Sequence, residues 1–250
     1  NIHIKLDTGM SRLGFLCAGD YFEEGVDNVI RSCRLPGLNP EGVYTHFAVS
    51  DEPGEDSEAY TRAQFRLFLD VIAAVKARGG VEFPIRHCAN SGATVSYPEM
   101  ALDMVRPGLL LYGYGDSSGK LGLLPCMRLV TTVSTIKFYE PGTSVSYGRR
   151  FTTDRRTRMG VLAVGYADGL PRLISNQCSF AAKGGFAPQR GSICMDMCMV
   201  DLTELPQVDV GSEVELFGPV NSIYKLSDAA QTIPHELLCA VSKRVPRVYE

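Results

Sequence analysis

The feature that most constrains this chain is a change of period part way along it. Up to about residue 113 apolar strands alternate with helical stripes, and beyond about Leu121 short alternating segments follow one another between glycine turns. Alternating strands and helices favour a parallel sheet wrapped by helices, whereas many short strands favour an antiparallel barrel or sandwich. The chain therefore reads as α/β followed by mainly antiparallel β. Gly, Ser and Asp cluster between Gly115 and Leu124, which places a boundary there and gives domains of 1–120 and 121–250.

In the first half, Ile2 to Asp7 predicts a strand that ends in Thr8-Gly9-Met10. Phe22, Val26, Val29, Ile30 and Cys33 share one helical face, closed by Leu35-Pro36-Gly37. A second strand, Gly42 to Phe47, delivers His46, and Phe65, Phe68, Leu69, Ile72 and Val75 mark a helix stopped by Gly79-Gly80. The third and fourth strands are expected between Ile85 and Gly113. Four such units amount to the C-terminal half of a (β/α)8 barrel. Half a barrel leaves two open sheet edges, so the rest is expected upstream of Asn1, in a chain that begins in mid-domain.

In the second half MRLVTTVSTIKF, MGVLAVGYA, SICMDMCMVDL and SEVELFG look like strands. Net charge is -3, which gives no reason to expect nucleic acid or an anionic membrane as a partner. No apolar run approaches the roughly 20 residues needed to span a bilayer, and no signal peptide is recognisable. The eight cysteines lack the tight spacing of a zinc site and read as buried free thiols in a reducing cytosol. A cytoplasmic protein, or the cytoplasmic domain of a larger one, is the expectation.

At the top of a parallel barrel the C-terminal strand ends build the site. Here they carry Lys5, Asp7 and Arg12, then His46, then His87 to Ser91 with Asn90, then Arg106 to Leu109 with Gly108. Serine, glycine and open N–H groups beside a helix start suit a phosphate. Taken singly each residue has a blander reading, a satisfied core histidine or a turn-capping arginine. Tyr147 in VSYGRR and Tyr166 in VGYADGLPR fit neighbouring strands, with both phenols at one end of the barrel, although packing is the plainer reading of each. Cys194, Asp196 and Cys198 would share one strand face, and an aspartate on that apolar face needs a partner.

KLDTGMSRLGF, THFAVSDE, HCANSGAT, DMVRPGLLLYG, VSYGRRFT, VGYADGLPR, CMDMCMVDL and SKRVPRVY resemble, in order, the motifs of the pyridoxal-phosphate-dependent alanine racemases. The resemblance covers nearly the whole chain and implies an α/β barrel followed by a β domain. It implies that Ser91 and the backbone of Gly108 and Leu109 bind the cofactor phosphate, with Asn90 and His235 nearby. His46 would line the cofactor ring. Arg106 would face the pyridine nitrogen and keep it unprotonated, which weakens the ring as an electron sink. His87 would bond to Arg106 and, across a subunit interface, to Tyr147. Arg12 would reach the phenolic oxygen, and Lys5 looks like the family's carbamylated lysine. Tyr147 would be one of the two bases that racemisation needs, acting on the partner's site. Met195 and Asp196 would hold the substrate carboxylate, with Tyr166 at the entrance, in an obligate homodimer acting on a small amino acid.

Two departures qualify the resemblance. The second base, a lysine bonded to the cofactor aldehyde, matches none of the seven lysines and is expected upstream of Asn1. His235 stands where the family usually has a tyrosine. An apolar pocket rejects one extra hydroxyl only weakly, so serine is a natural alternative substrate. The expected function is an amino-acid racemase that interconverts L- and D-alanine for cell-wall peptidoglycan. Alternatives are a serine or alanine/serine racemase, and a non-catalytic cofactor-binding fragment.

Overall fold

The computed structural model describes residues 1–115 and 121–249. It divides into two compact units, Asn1–Leu124 and Pro125–Glu250. Residues 116–120 of the sequence boundary between Gly115 and Leu124 lie outside the described ones.

The first unit contains β1 (Ile2–Asp7), β2 (Phe15–Leu16), α1 (Phe22–Cys33), β3 (Pro40–Tyr44), α2 (Glu55–Gly79), β4 (Ile85–His87) and α3 (Ser91–Ser96). The strands form an open sheet in the order β2-β1-β3-β4, every pair parallel. Its core joins Ile4, Leu6 and Val43 of the strands to Val26 and Val29 of α1 and Phe68, Val71 and Val75 of α2. On α2 the fully buried line is Thr61, Gln64, Phe68, Val71 and Val75, with Phe65, Leu69 and Ile72 at its flank. Of the two polar residues in that line, Thr61 and Gln64, the second holds the loop after β3.

The expected fourth strand does not form a ladder. The stretch after Ala101 does run beside β4, with Asp103 N–H donating to Arg86 O (3.1 Å) and Arg106 N–H to Ala89 O (2.9 Å). Pro107 then removes the next donor, and Leu109–Tyr112 winds into a 3-10 turn. Residues 105–113 therefore deliver Arg106 as a pinned loop end.

The second unit contains β5 (Leu129–Tyr139), β6 (Ser144–Val145), β7 (Phe151–Thr152), β8 (Thr157–Leu162), β9 (Ser179–Ala182), β10 (Gly185–Arg190), β11 (Cys198–Asp201), β12 (Glu213–Phe217), α4 (Ile223–Ala229) and α5 (Pro234–Ala240). Six strands close an antiparallel barrel in the order β10-β11-β8-β5-β12-β9, while β6 and β7 form a separate two-stranded ribbon. Alternate side chains fill it, among them Val133, Leu162, Phe180, Ala187, Val200, Val214 and Leu216, all at 1% exposure or less. Of the eight cysteines, Cys17, Cys88 and Cys198 are buried, whereas Cys126 and Cys239 are exposed, so the expectation of buried thiols needs correction at those two. No helix among the described residues is long and apolar enough to cross a membrane.

Phe180 has no exposed surface and sits in the barrel core. Phe180→Ala is expected to lower stability by about 3–5 kcal/mol. Denaturant unfolding followed by circular dichroism checks this, and a loss below about 1 kcal/mol would contradict the packing described.

Candidate active site

In the first unit, strand register sets the face on which the site is built. Lys5 pairs with Tyr44 and Tyr44 with His87, while His3, two residues before Lys5, pairs with Gly42. Side chains alternate along a strand, so His3, Lys5, Tyr44 and His87 share one side of the sheet. Arg106 enters from the pinned segment after β4. Its guanidinium donates to His87 Nδ1 (2.6 Å), Thr45 O (2.9 Å), His46 Nδ1 (3.2 Å) and Cys88 O (3.3 Å). Tyr44 supports both partners, stacking on the His87 ring at 4.9 Å and lying 5.2 Å below the Arg106 guanidinium carbon.

Arginine has no acceptor, so the ring nitrogens that face it carry lone pairs. The electrostatics agree. Burial, then Arg106, then His3 push His87 down to about 4, and burial followed by the cations Arg106, Arg12 and Lys5 lowers His46. Burial and then Arg12 also lower Lys5. Asp7 pulls Lys5 the other way, but its Oδ1 already accepts from the N–H groups of Gly9 and Ser11, each at 3.0 Å. Three cations thus face one region beside neutral imidazoles. The Nε–H of Arg106 has no acceptor among the described residues.

The neighbouring loops make an anion cradle. Asn90 caps α3, its Oδ1 accepting from Ala93 N–H (2.9 Å) and Ser50 Oγ (2.8 Å). Ser91 Oγ accepts from Gly108 N–H at 2.9 Å, which ties the two loops together. Leu109 and Leu110 open the 3-10 turn without backbone acceptors for their N–H groups among the described residues. The His46 loop is held by Gln64, which accepts from Ala48 N–H (3.0 Å) and donates to His46 O (3.2 Å). Sequence reasoning missed His3, Tyr44, Thr45 and Gln64. Only Gln64 left a signal, as a polar residue on an apolar helical stripe.

In the second unit, one loop gathers the remaining candidates. Ser192 Oγ donates to Tyr147 O (2.8 Å), and Ser146 Oγ to Ser192 O (2.6 Å). Tyr166 N–H donates to Cys194 O (3.0 Å) and Ala167 N–H to Met195 O (2.8 Å). A Cβ on Gly165 would overlap Cys194 O, so only glycine lets these turns meet. Tyr147, Tyr166 and Met195 are 72%, 44% and 56% exposed, and a cavity of about 430 Å³ beside Tyr147 is lined by Ser146, Met159, Val161 and Cys194. The expected strand face of Cys194, Asp196 and Cys198 is incorrect, because β11 starts only at Cys198. The amide of Cys194 is spent on Met197 O (2.9 Å) within a turn, and Asp196 is exposed there. Behind Tyr166, Asp168 accepts from Gly165 N–H (2.9 Å) and pairs with Arg244 (2.7 Å), while Ser242 N–H donates to Asp168 O (3.1 Å). His235 is exposed on α5.

His87 gives a pH signature. Its value in the fold lies below the ordinary 6.5, at about 4, so the unfolded chain binds the extra proton first as pH falls. Its contribution is complete above about pH 6.5 and is lost as pH drops through that value toward about 4, a total of about 3 kcal/mol. Urea unfolding between pH 7 and 4, in wild type and His87→Gln, should show this slope in wild type only. Equal slopes would remove His87 as its source.

The sequence matches the family of the alanine racemase N-terminal domain over residues 1–116 and that of the alanine racemase C-terminal domain over residues 126–249. It is 42% identical over 253 residues to an alanine racemase of Desulforamulus reducens, covering 99% of this chain and 66% of that protein. It is also 42% identical to one of Treponema pallidum over 258 residues, covering 99% of this chain and 67% of that protein. The fold superposes on the alanine racemase of Streptomyces coelicolor A3(2) with a TM-score of 0.88 at 35% identity, over 99% of this chain and 65% of that one. The Bartonella henselae alanine racemase with covalently bound pyridoxal phosphate gives 0.85 at 30% identity, over 99% and 66%. The chain thus spans about two thirds of the length of these relatives, 64% in the case of Clostridium tetani. With both halves matched in order, the chain belongs to the alanine racemase family.

Proposed function

We propose that this chain carries most of the machinery of a pyridoxal-phosphate-dependent racemase that interconverts L- and D-alanine. The observation that carries the reading is the cation group Lys5, Arg12 and Arg106 beside the Ser91, Gly108 and Leu109 cradle. It also rests on a family in which every relative compared is named an alanine racemase.

The residues fit the cofactor in charge and in donor type. Ser91 and the open amides of the 109–110 turn suit its phosphate, and Gly108 has nothing within 4 Å of where a Cβ would stand, so the approach is clear. When bound, pyridoxal phosphate supplies a conjugated ring that draws electrons from the amino acid Cα. Arg106 would bond to the ring nitrogen without protonating it, since a guanidinium keeps its protons. His87 and Thr45 hold that guanidinium in place. His46 would pack along the ring and Arg12 would reach the phenolic oxygen, with Lys5 orienting it in carbamylated form.

Tyr147 is assigned as the base on one face of Cα, acting on the partner's site in a homodimer. Its exposure, and the loop that binds it to Tyr166, Met195 and Asp196, suit such a role. Met195 and Asp196 would border the substrate carboxylate, Tyr166 the entrance, and His235 the cofactor phosphate. The opposite face is assigned to the family's cofactor-bonding lysine, which no motif of this chain matches. A cytoplasmic supply of D-alanine for peptidoglycan is the corresponding role.

Tyr147→Phe in the complete polypeptide should slow proton removal from one enantiomer at least about a hundredfold more than from the other. Solvent-deuterium exchange at Cα, measured from each enantiomer, checks it, and equal small losses would take the base role from Tyr147. The kcat/KM ratio for alanine over serine tests the substrate. A preference for serine above about tenfold overturns the alanine assignment.

A further inference from the structure

His3 on β1 and His87 on β4 are two strands apart, yet their rings meet. His3 Nδ1 lies 2.7 Å from His87 Nε2, with the rings tilted at 57°. On the intervening strand β3 the residue paired with His3 is Gly42, and a Cβ there would overlap three atoms of the His3 ring. The empty side chain of Gly42 is what lets His3 reach across β3.

The direction of this bond follows from the other side of His87. Arg106 donates to Nδ1, so Nδ1 holds a lone pair. A neutral imidazole then carries its proton on Nε2 and donates it to His3 Nδ1. The reverse direction would need a His87 ring with no proton at all. The line therefore runs Arg106 to His87 to His3, and both nitrogens of His87 are engaged within one chain. We infer that His3 is a positioning residue, the terminal acceptor that fixes His87 as a proton-fixed acceptor for Arg106 and withdraws it from any relay to the partner's Tyr147. The inference deepens the proposed function, since it rests on that reading wherever Arg106 is taken to meet the cofactor.

His87 is only 3% exposed, so loss of its acceptor would strand a buried N–H. Asparagine can present an oxygen near the position of Nδ1, and leucine cannot. The complete polypeptide, with and without pyridoxal phosphate, would be examined by neutron diffraction. The expected result is a deuteron on His87 Nε2 and none on Nδ1, in both states. His3→Leu should then lower kcat about tenfold at little-changed KM, the rate equivalent of one unpaired buried donor, and shift the pH at which the bound cofactor's absorbance titrates. His3→Asn should restore both.

A deuteron on His87 Nδ1 would overturn the inference, and so would a His3→Leu enzyme with unaltered kcat and absorbance titration. Failure of the protein to bind pyridoxal phosphate would instead count against the proposed function. The deuteron positions in the cofactor-free protein would still decide for or against His3.

Discussion

Arg106 is a partly buried guanidinium with no carboxylate among its bonded partners. Removing such a charge from water is costly, and proteins usually meet the cost with an opposite charge. Here it is met by carbonyl oxygens of Thr45 and Cys88 and by lone pairs of two neutral imidazoles. Those groups solvate the cation without cancelling it. Its field therefore persists in the site, where it lowers His46 and His87 and adds to that of Lys5 and Arg12. A carboxylate in place of His87 would have stabilised Arg106 and cost the site its attraction for anions.

The same bonds organise the backbone. The loop after β3, the end of β4 and the segment before Pro107 are tied to one another chiefly through the Arg106 side chain and its own amide. Asn90 and Ser91 extend the tie to Ser50 and Gly108. The candidate site of the first unit is thus a set of loop ends fastened by polar contacts above an apolar sheet, so it depends on correct protonation states as much as on packing.

Much of this was legible in the sequence. The strand at Ile2 to Asp7 and the helices carrying Val26 and Phe68 follow from period and stop signals, because burial of one face dictates both. The residues of the cradle could be named because they lie within short motifs. The fourth strand failed because Pro107 breaks a ladder that two isolated bonds begin. Asp196 was misplaced because its period-two pattern continues through a turn whose amides are committed elsewhere. His3 could not be seen at all, since its contact crosses a strand and exists only through the register that sets Gly42 beneath it.

In the second unit, Arg244 and Ser242 hold Asp168, and Asp168 holds the amide of Gly165 at the root of the Tyr166 turn. Arg247 adds bonds back to the carbonyls of Val241 and Val245, so the segment after α5 is wound onto itself as a buckle. Through the 192–197 loop that buckle is continuous with the Tyr147 turn. Mechanically, then, the two tyrosines are not independent levers. A strain applied at residues 242–247, whether from a fused sequence or a proteolytic cut, would be felt at both.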